Sequence, residues 1–111
     1  MKYLMLVCTD PDRDTDTENE PDIDQWVATH DASGQRLLGM ALAPVSTATT
    51  VRVREGKLLI SDGPFAETKE IIVGFDLLEC ADLDEAVTVA AGHPMARGGR
   101  LEIRALADFE Q

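Results

Sequence analysis

Carboxylates, hydroxyls, an amine and an aromatic ring fall within ten residues, Ser61-Asp62-Gly63-Pro64-Phe65-Ala66-Glu67-Thr68-Lys69-Glu70, between two apolar runs. Gly63 can adopt a positive φ, Pro64 fixes the next φ and removes an N–H, and Phe65 turns a ring back onto the protein, so the segment reads as a rigid turn. A carboxylate at the mouth of such a turn, Asp62, can serve a cleft as base, acid or ligand-orienting group. It can equally accept backbone N–H bonds of its own turn, as Asp before Gly does in turns of every kind. Lys69 beside the Thr68 hydroxyl could anchor a ligand carboxylate or phosphate, with Phe65 as an apolar contact. The bland alternative for Glu67 to Glu70 is a surface ion network worth little energetically.

The second chemical feature is a histidine on a helical stripe. From Asp22 the apolar period becomes helical, and Ile23, Trp26, Val27, His30, Gly34 and Leu37 share one face. Asp22 and Gln25 have capping-box spacing, and Gly39 is placed to end the helix. His30 therefore points inward or into a cavity at the helix edge, either as a satisfied core or interface residue or as a group titrating near neutrality. Trp26, one turn earlier on that stripe, joins the ligand-binding candidates with Phe65, Thr68 and Lys69; the catalytic candidates are Asp62 and His30.

These residues need a scaffold. Lys2 to Thr9 is apolar on both alternating faces (Tyr3, Met5, Val7 and Leu4, Leu6, Cys8), which suits a central strand. Asp10 to Asp22 is acidic and rich in turn-formers, as an exposed loop is. Its Asp10, Asp12, Asp14 and Asp16 lack, in either frame, the glycine and the glutamate that an EF-hand loop requires, so no metal is expected there. After the short apolar run Met40 to Pro44 and the hydroxyl cluster Ser46 to Thr50, Val51–Arg54 and Lys57–Ile60 flank Glu55-Gly56 as a hairpin that delivers Asp62. Ile71 to Cys80 reads as a long strand, and a second helix is capped by Asp82 and Glu85 and stopped by Gly92 and Pro94. Arg100 to Ala107 alternates as a half-covered strand. The order strand, helix, hairpin, strand, helix, strand predicts a single α+β domain, ferredoxin-like, with two helices on one face of a mostly antiparallel sheet and an added β-hairpin. Apolar residues on both sheet faces predict that a second copy covers the other face, giving a homodimer.

Composition narrows the function classes. In 111 residues, 44% hydrophobic content is enough for one core, and a formal charge of −11 argues against nucleic acid or an anionic membrane surface as a partner. The longest uninterrupted apolar run, Leu4 to Cys8, is far too short to span a bilayer and Met1-Lys2 carries no cleavage-site pattern, so the chain reads as cytoplasmic. Cys8 and Cys80 are expected as buried reduced thiols. No cofactor is indicated.

The run Ala48-Thr49-Thr50-Val51-Arg52-Val53-Arg54 followed by Asp62 to Glu70 resembles the DGPF-domain branch of the YCII-related superfamily. Agreement extends to Met1-Lys2-Tyr3, Asp82-Leu83-Asp84-Glu85-Ala86, His93-Pro94 and Leu101-Glu102-Ile103-Arg104. The resemblance implies a dimeric ferredoxin-like α+β fold with an active-site cleft near the Asp-Gly-Pro turn and the first helix. Some members of the wider superfamily are proposed to use a His and an Asp as an acid–base pair, one of them in eliminating chloride from a chlorinated hydroxyquinol. Genes of the DGPF type resemble those found beside extracytoplasmic-function sigma factors. Two function classes follow: a small lyase or hydrolase in which Asp62 and His30 move protons, or a noncatalytic dimer that binds a small molecule or serves regulation linked to sigma-factor signalling. His93 lies just past the second helix, where a capping role and a chemical one are equally open.

Overall fold

Tyr3, Met5 and Val7 on one edge of alternation, and Leu4 and Leu6 on the other, make β1 (Lys2–Cys8) a strand with two apolar faces, and it takes a central place in the sheet. The computed structural model describes residues 1–16, 19–63 and 71–107. After β1 come α1 (Ile23–Ala32), β2 (Arg36–Ala41), a 3-10 turn (Val45–Thr47), β3 (Thr49–Arg54), β4 (Lys57–Asp62), β5 (Ile72–Glu79), α2 (Leu83–Ala91), α3 (Met95–Gly98) and β6 (Arg100–Ala105). Four strands form an antiparallel sheet in the order β2-β5-β1-β6, while β3 and β4 pair antiparallel in a sheet of their own. The architecture is α+β and consistent with a ferredoxin-like fold.

Register decides which side chains meet. Tyr3 faces Leu78 and Ala105, Met5 faces Asp76 and Ile103, and Val7 faces Gly74 and Leu101. This is the helix-covered side: Met5 and Leu78 are fully buried and pack with Trp26 of α1 and Ala86, Val89 and Ala90 of α2. A bulge between Val7 and Cys8 gives β5 an extra residue, Val73, which also packs against the core. α2 begins as its sequence dictates, with the Asp82 carboxylate accepting from Glu85 N at 2.9 Å, and Glu85 in turn accepting from Ala81 N.

The helical stripe stops earlier than its spacing suggests. α1 is capped at its start, where Asp22 accepts from Asp24 N, but it ends at Ala32, and Gly34 takes a left-handed φ of 78°. Gly39 is therefore not a helix terminator, and Leu37 is not on the helix: both belong to β2, a strand that the periodicity did not reveal. Gly39 pairs with Asp76 and Leu38 with Leu77 on β5. α3 was likewise not anticipated beyond Pro94; it is a single turn starting at Met95.

The other sheet face is only partly covered within one chain. Leu4, Leu6, Phe75 and Leu77 are half-buried, while Leu38 and Met40 are 48% and 67% exposed. On the small sheet, Glu55 and Gly56 both take positive φ (52° and 74°), the paired left-handed geometry of a type I′ turn. Val51, Val53, Leu58 and Ile60 are exposed on it. The two cysteines are buried free thiols, Cys8 at the end of β1 and Cys80 just past β5, and burial raises the pKa of each. In the acidic stretch, Asp10 and Asp14 each accept a backbone N–H from two residues on, at 2.9 and 3.0 Å, as Asx turns do. Among the described residues no helix is long and apolar enough to cross a membrane.

Candidate functional site

Between α1 and the β2–β5 edge of the sheet lies a cavity of about 280 Å³, walled by Val7, Ile23, Val27, Ala41 and Val73 together with Arg36, Asp76 and His93. Asp76 and His93 are 6% and 5% exposed, and they are the buried polar side chains of the described structure. Buried ionisable groups must be paired or held neutral, and here each device is used once.

Asp76 is paired. It comes from the middle of β5, where helix-facing Gly74, Asp76 and Leu78 alternate with half-buried Phe75 and Leu77. Arg36, the first residue of β2, donates Nε to Asp76 Oδ1 at 2.7 Å and one terminal nitrogen to Asp31 Oδ1 at 2.9 Å. Burial works against the guanidinium charge, but its bonds to Asp76 and Asp31 more than offset that and raise its pKa. Space for this pair is made by Gly39 opposite Asp76: a Cβ there would fall 2.0 Å from Asp76 Oδ1 and 2.6 Å from an Arg36 terminal nitrogen. Among the described residues no hydrogen bond reaches Asp76 Oδ2, which remains available as an acceptor.

His93 is held neutral. Its Nδ1 accepts the backbone N–H of Met95 at 2.9 Å. An amide can only donate, so Nδ1 carries the lone pair and the neutral ring's proton resides on Nε2. Burial pushes the imidazole pKa down, Asp76 pulls it up and Arg36 pushes it down again, with a net lowering. Trp26 meets the His93 ring edge-on at 4.7 Å between centroids and is itself fixed by Nε1 donating to Val89 O at 2.8 Å. The cavity thus offers one carboxylate acceptor and one imidazole N–H donor among apolar walls.

The residues singled out from sequence are distributed differently. Asp62 is exposed at the end of β4, opposite Thr49, with Gly63 at φ 89° donating to Ala48 O. Phe65, Thr68 and Lys69 lie outside the described residues. His30 and Trp26 are brought together, ring centroids 5.0 Å apart, and both line a shallower hollow of about 260 Å³ with Gln25 and Thr29. His30 Nδ1 meets Gln35 Oε1 at 2.8 Å, and Gln35 Nε2 donates to Glu85 Oε1 at 3.0 Å. Since the carboxylate can only accept, the Gln35 amide is oriented, and His30 carries its proton on Nδ1, the opposite tautomer to His93. The bond from Ala81 N, then that from Gln35, lowers the Glu85 pKa. Among the described residues Asp62 and His30 share no hydrogen bond.

Sequence reasoning gave no site role to Arg36 or Asp76. Asp76 did carry a signal, as a carboxylate inside an otherwise apolar strand, which can stay there only with a buried partner.

Two outcomes test this geometry. Gly39→Ala, by forcing the Arg36–Asp76 pair apart, is expected to remove about 3 kcal/mol or more of unfolding free energy, seen as a lower urea midpoint at unchanged m-value. Because the folded-state pKa of His93 lies below its ordinary value of 6.5, the unfolded chain binds the proton more readily. The stability gained by keeping His93 neutral is then complete above pH 6.5 and is lost as the pH falls below it. Urea unfolding across that range should show a slope that His93→Gln flattens.

The YCII-related domain profile matches residues 1–110. The chain is also similar to an uncharacterised protein of Rhizobium meliloti (strain 1021), 46% identical over 71 residues that take in 62% of this chain. Those residues span 57% of that relative's length, so the chain matches little more than half of it. With almost its whole length matched by the domain, this chain belongs to the YCII-related family.

Proposed function

We propose that the cavity beneath α1 binds a small molecule and moves a proton on it, with Asp76 as base and His93 as donor. The observation that carries this reading is the pairing of two buried groups of fixed and opposite hydrogen-bonding sense on one apolar cavity. Asp76 Oδ2 can take a proton from an acidic C–H or O–H. His93 Nε2–H can bond to the oxygen on which negative charge then grows, as a neutral imidazole donor does without having to lose its own proton. Such chemistry is that of a lyase: loss of the proton supplies the electron pair that expels a leaving group from the adjacent atom. Arg36 touches Asp76 and not the reacting atoms, so it is a positioning residue. The resemblance of the run Asp62 to Glu70 to the DGPF branch supports a ligand-handling role for Asp62, Phe65, Thr68 and Lys69, and His30 is a second candidate proton carrier.

The test is a panel of small hydroxy- and halo-aromatic compounds, scored both for a rise in melting temperature and for conversion. Binding to the native state raises apparent stability by mass action. Asp76→Asn keeps the shape and the bond from Arg36 but cannot accept the proton; it should bind the active compounds and turn them over about 10²- to 10⁴-fold more slowly. Compounds that stabilise the protein and are never converted would instead establish the noncatalytic, small-molecule-binding reading.

We also propose that the chain works as a homodimer. Half-buried Leu4, Leu6, Phe75 and Leu77 next to exposed Leu38 and Met40 form an apolar sheet face of the kind that a second copy covers. Sedimentation should give twice the 12.1 kDa chain mass, and Leu38→Glu should give the monomer mass.

A further inference from the structure

We infer that the cavity sorts its ligands by charge, accepting an uncharged or cationic molecule and rejecting the anionic form of the same skeleton. The inference rests on the reading of the cavity as a ligand site and adds the ligand's charge class to it.

A buried arginine usually invites a carboxylate or phosphate. This one is already committed. Arg36 is the cation among the described lining residues, and its Nε and one terminal nitrogen are held by Asp76 at 2.7 Å and Asp31 at 2.9 Å. The other terminal nitrogen lies beside Gly39, 2.6 Å from where a Cβ would stand, and the charge it shares is already offset by the two aspartates that Arg36 holds. Two carboxylates against one guanidinium leave a net negative charge beside the cavity. His93 does not cancel it: burial outweighs the pull of Asp76, Arg36 adds to burial, and the protonated form is disfavoured on balance. The remaining side chains of the wall are apolar (among them Val7, Ile23, Val27, Val73 and Phe75) and solvate an ion poorly. An anionic ligand group would lose its water, meet the His93 N–H and a guanidinium already shared between two carboxylates, and face Asp76 Oδ2 as a like charge. An uncharged hydroxyl or an ammonium would bond to that same oxygen. The chain's formal charge of −11 acts in the same direction at long range.

Three probes with one ring and three charges separate the possibilities: benzyl alcohol, benzylammonium and benzoate, titrated into the full chain at pH 7. Trp26, the single tryptophan, touches the His93 ring and provides a fluorescence readout beside calorimetry. The alcohol and the ammonium should bind, and benzoate should bind at least about tenfold more weakly than the alcohol. Asp31→Asn alters a side chain that is 48% exposed and removes one of the two carboxylates on Arg36. It should narrow the gap between benzoate and alcohol by about threefold or more, leaving the alcohol's affinity within about twofold of its original value. Benzoate binding as tightly as the alcohol, or a ratio that Asp31→Asn leaves unmoved, overturns the charge inference while the cavity reading stands. If none of the three probes binds, the cavity reading itself falls and takes this inference with it.

Discussion

A carboxylate in the middle of a sheet strand has to be neutralised where it stands, and in this protein the bond between Asp76 on β5 and Arg36 on β2 does so. The Asp76 side chain faces the helix-covered side, among residues that would otherwise form a continuous apolar layer. Leaving that carboxylate unpaired would cost several kcal/mol. The partner is the first residue of the neighbouring strand, so the ion pair helps define where β2 begins and how it is registered against β5. Gly39 opposite Asp76 is the corresponding vacancy in the strand surface, and the same vacancy gives the cavity part of its wall.

The packing around α1 has its own anchor. The helix covers the sheet through Trp26, whose indole donates to the last turn of α2 and whose ring contacts both His30 and His93. Trp26 thus ties the helix, the end of α2 and the turn carrying His93 into one unit. Two histidines with opposite tautomers flank a single aromatic ring, each fixed by a partner that can only donate or only accept. One of them faces a cavity with a buried carboxylate; the other lines a more open hollow. Similar side chains therefore acquire different chemistry from their surroundings alone.

Much of the fold was legible residue by residue. Alternation in β1, β5 and β6, the Asp22 and Asp82 caps, and the acidic composition after Cys8 all report local preferences that survive folding, because short-range sterics and solvation decide them. The failure at β2 is instructive. Leu37 continues the 3.6-residue stripe of α1 in the sequence, but Gly34 at positive φ breaks the helix, and the residues beyond it gain more by hydrogen bonding to β5 than by another helical turn. The emphasis on Asp62 and His30 came from the turn composition and from a helical stripe, both local features. Asp76 is 14 residues from Asp62 in sequence, and its buried pairing depends on what its strand neighbours bring to it.

The amino-acid sequence by itself determined the α+β class, the caps that start both main helices, the net charge of −11, and the family resemblance. Those properties depend on composition and on contacts between residues close in the chain. Only the tertiary structure decided that Arg36, Gly39, Asp76 and His93 share one cavity wall, that the arginine is spent on two aspartates, and that His93 presents an N–H where His30 presents a lone pair. The burial of Asp76 and its pairing with Arg36 join residues 40 apart in the chain, and the Gln35 amide that fixes the His30 tautomer is oriented by Glu85, 50 residues on. The bonds that set each tautomer are short in sequence, but the burial that gives them their effect is not encoded by any local pattern.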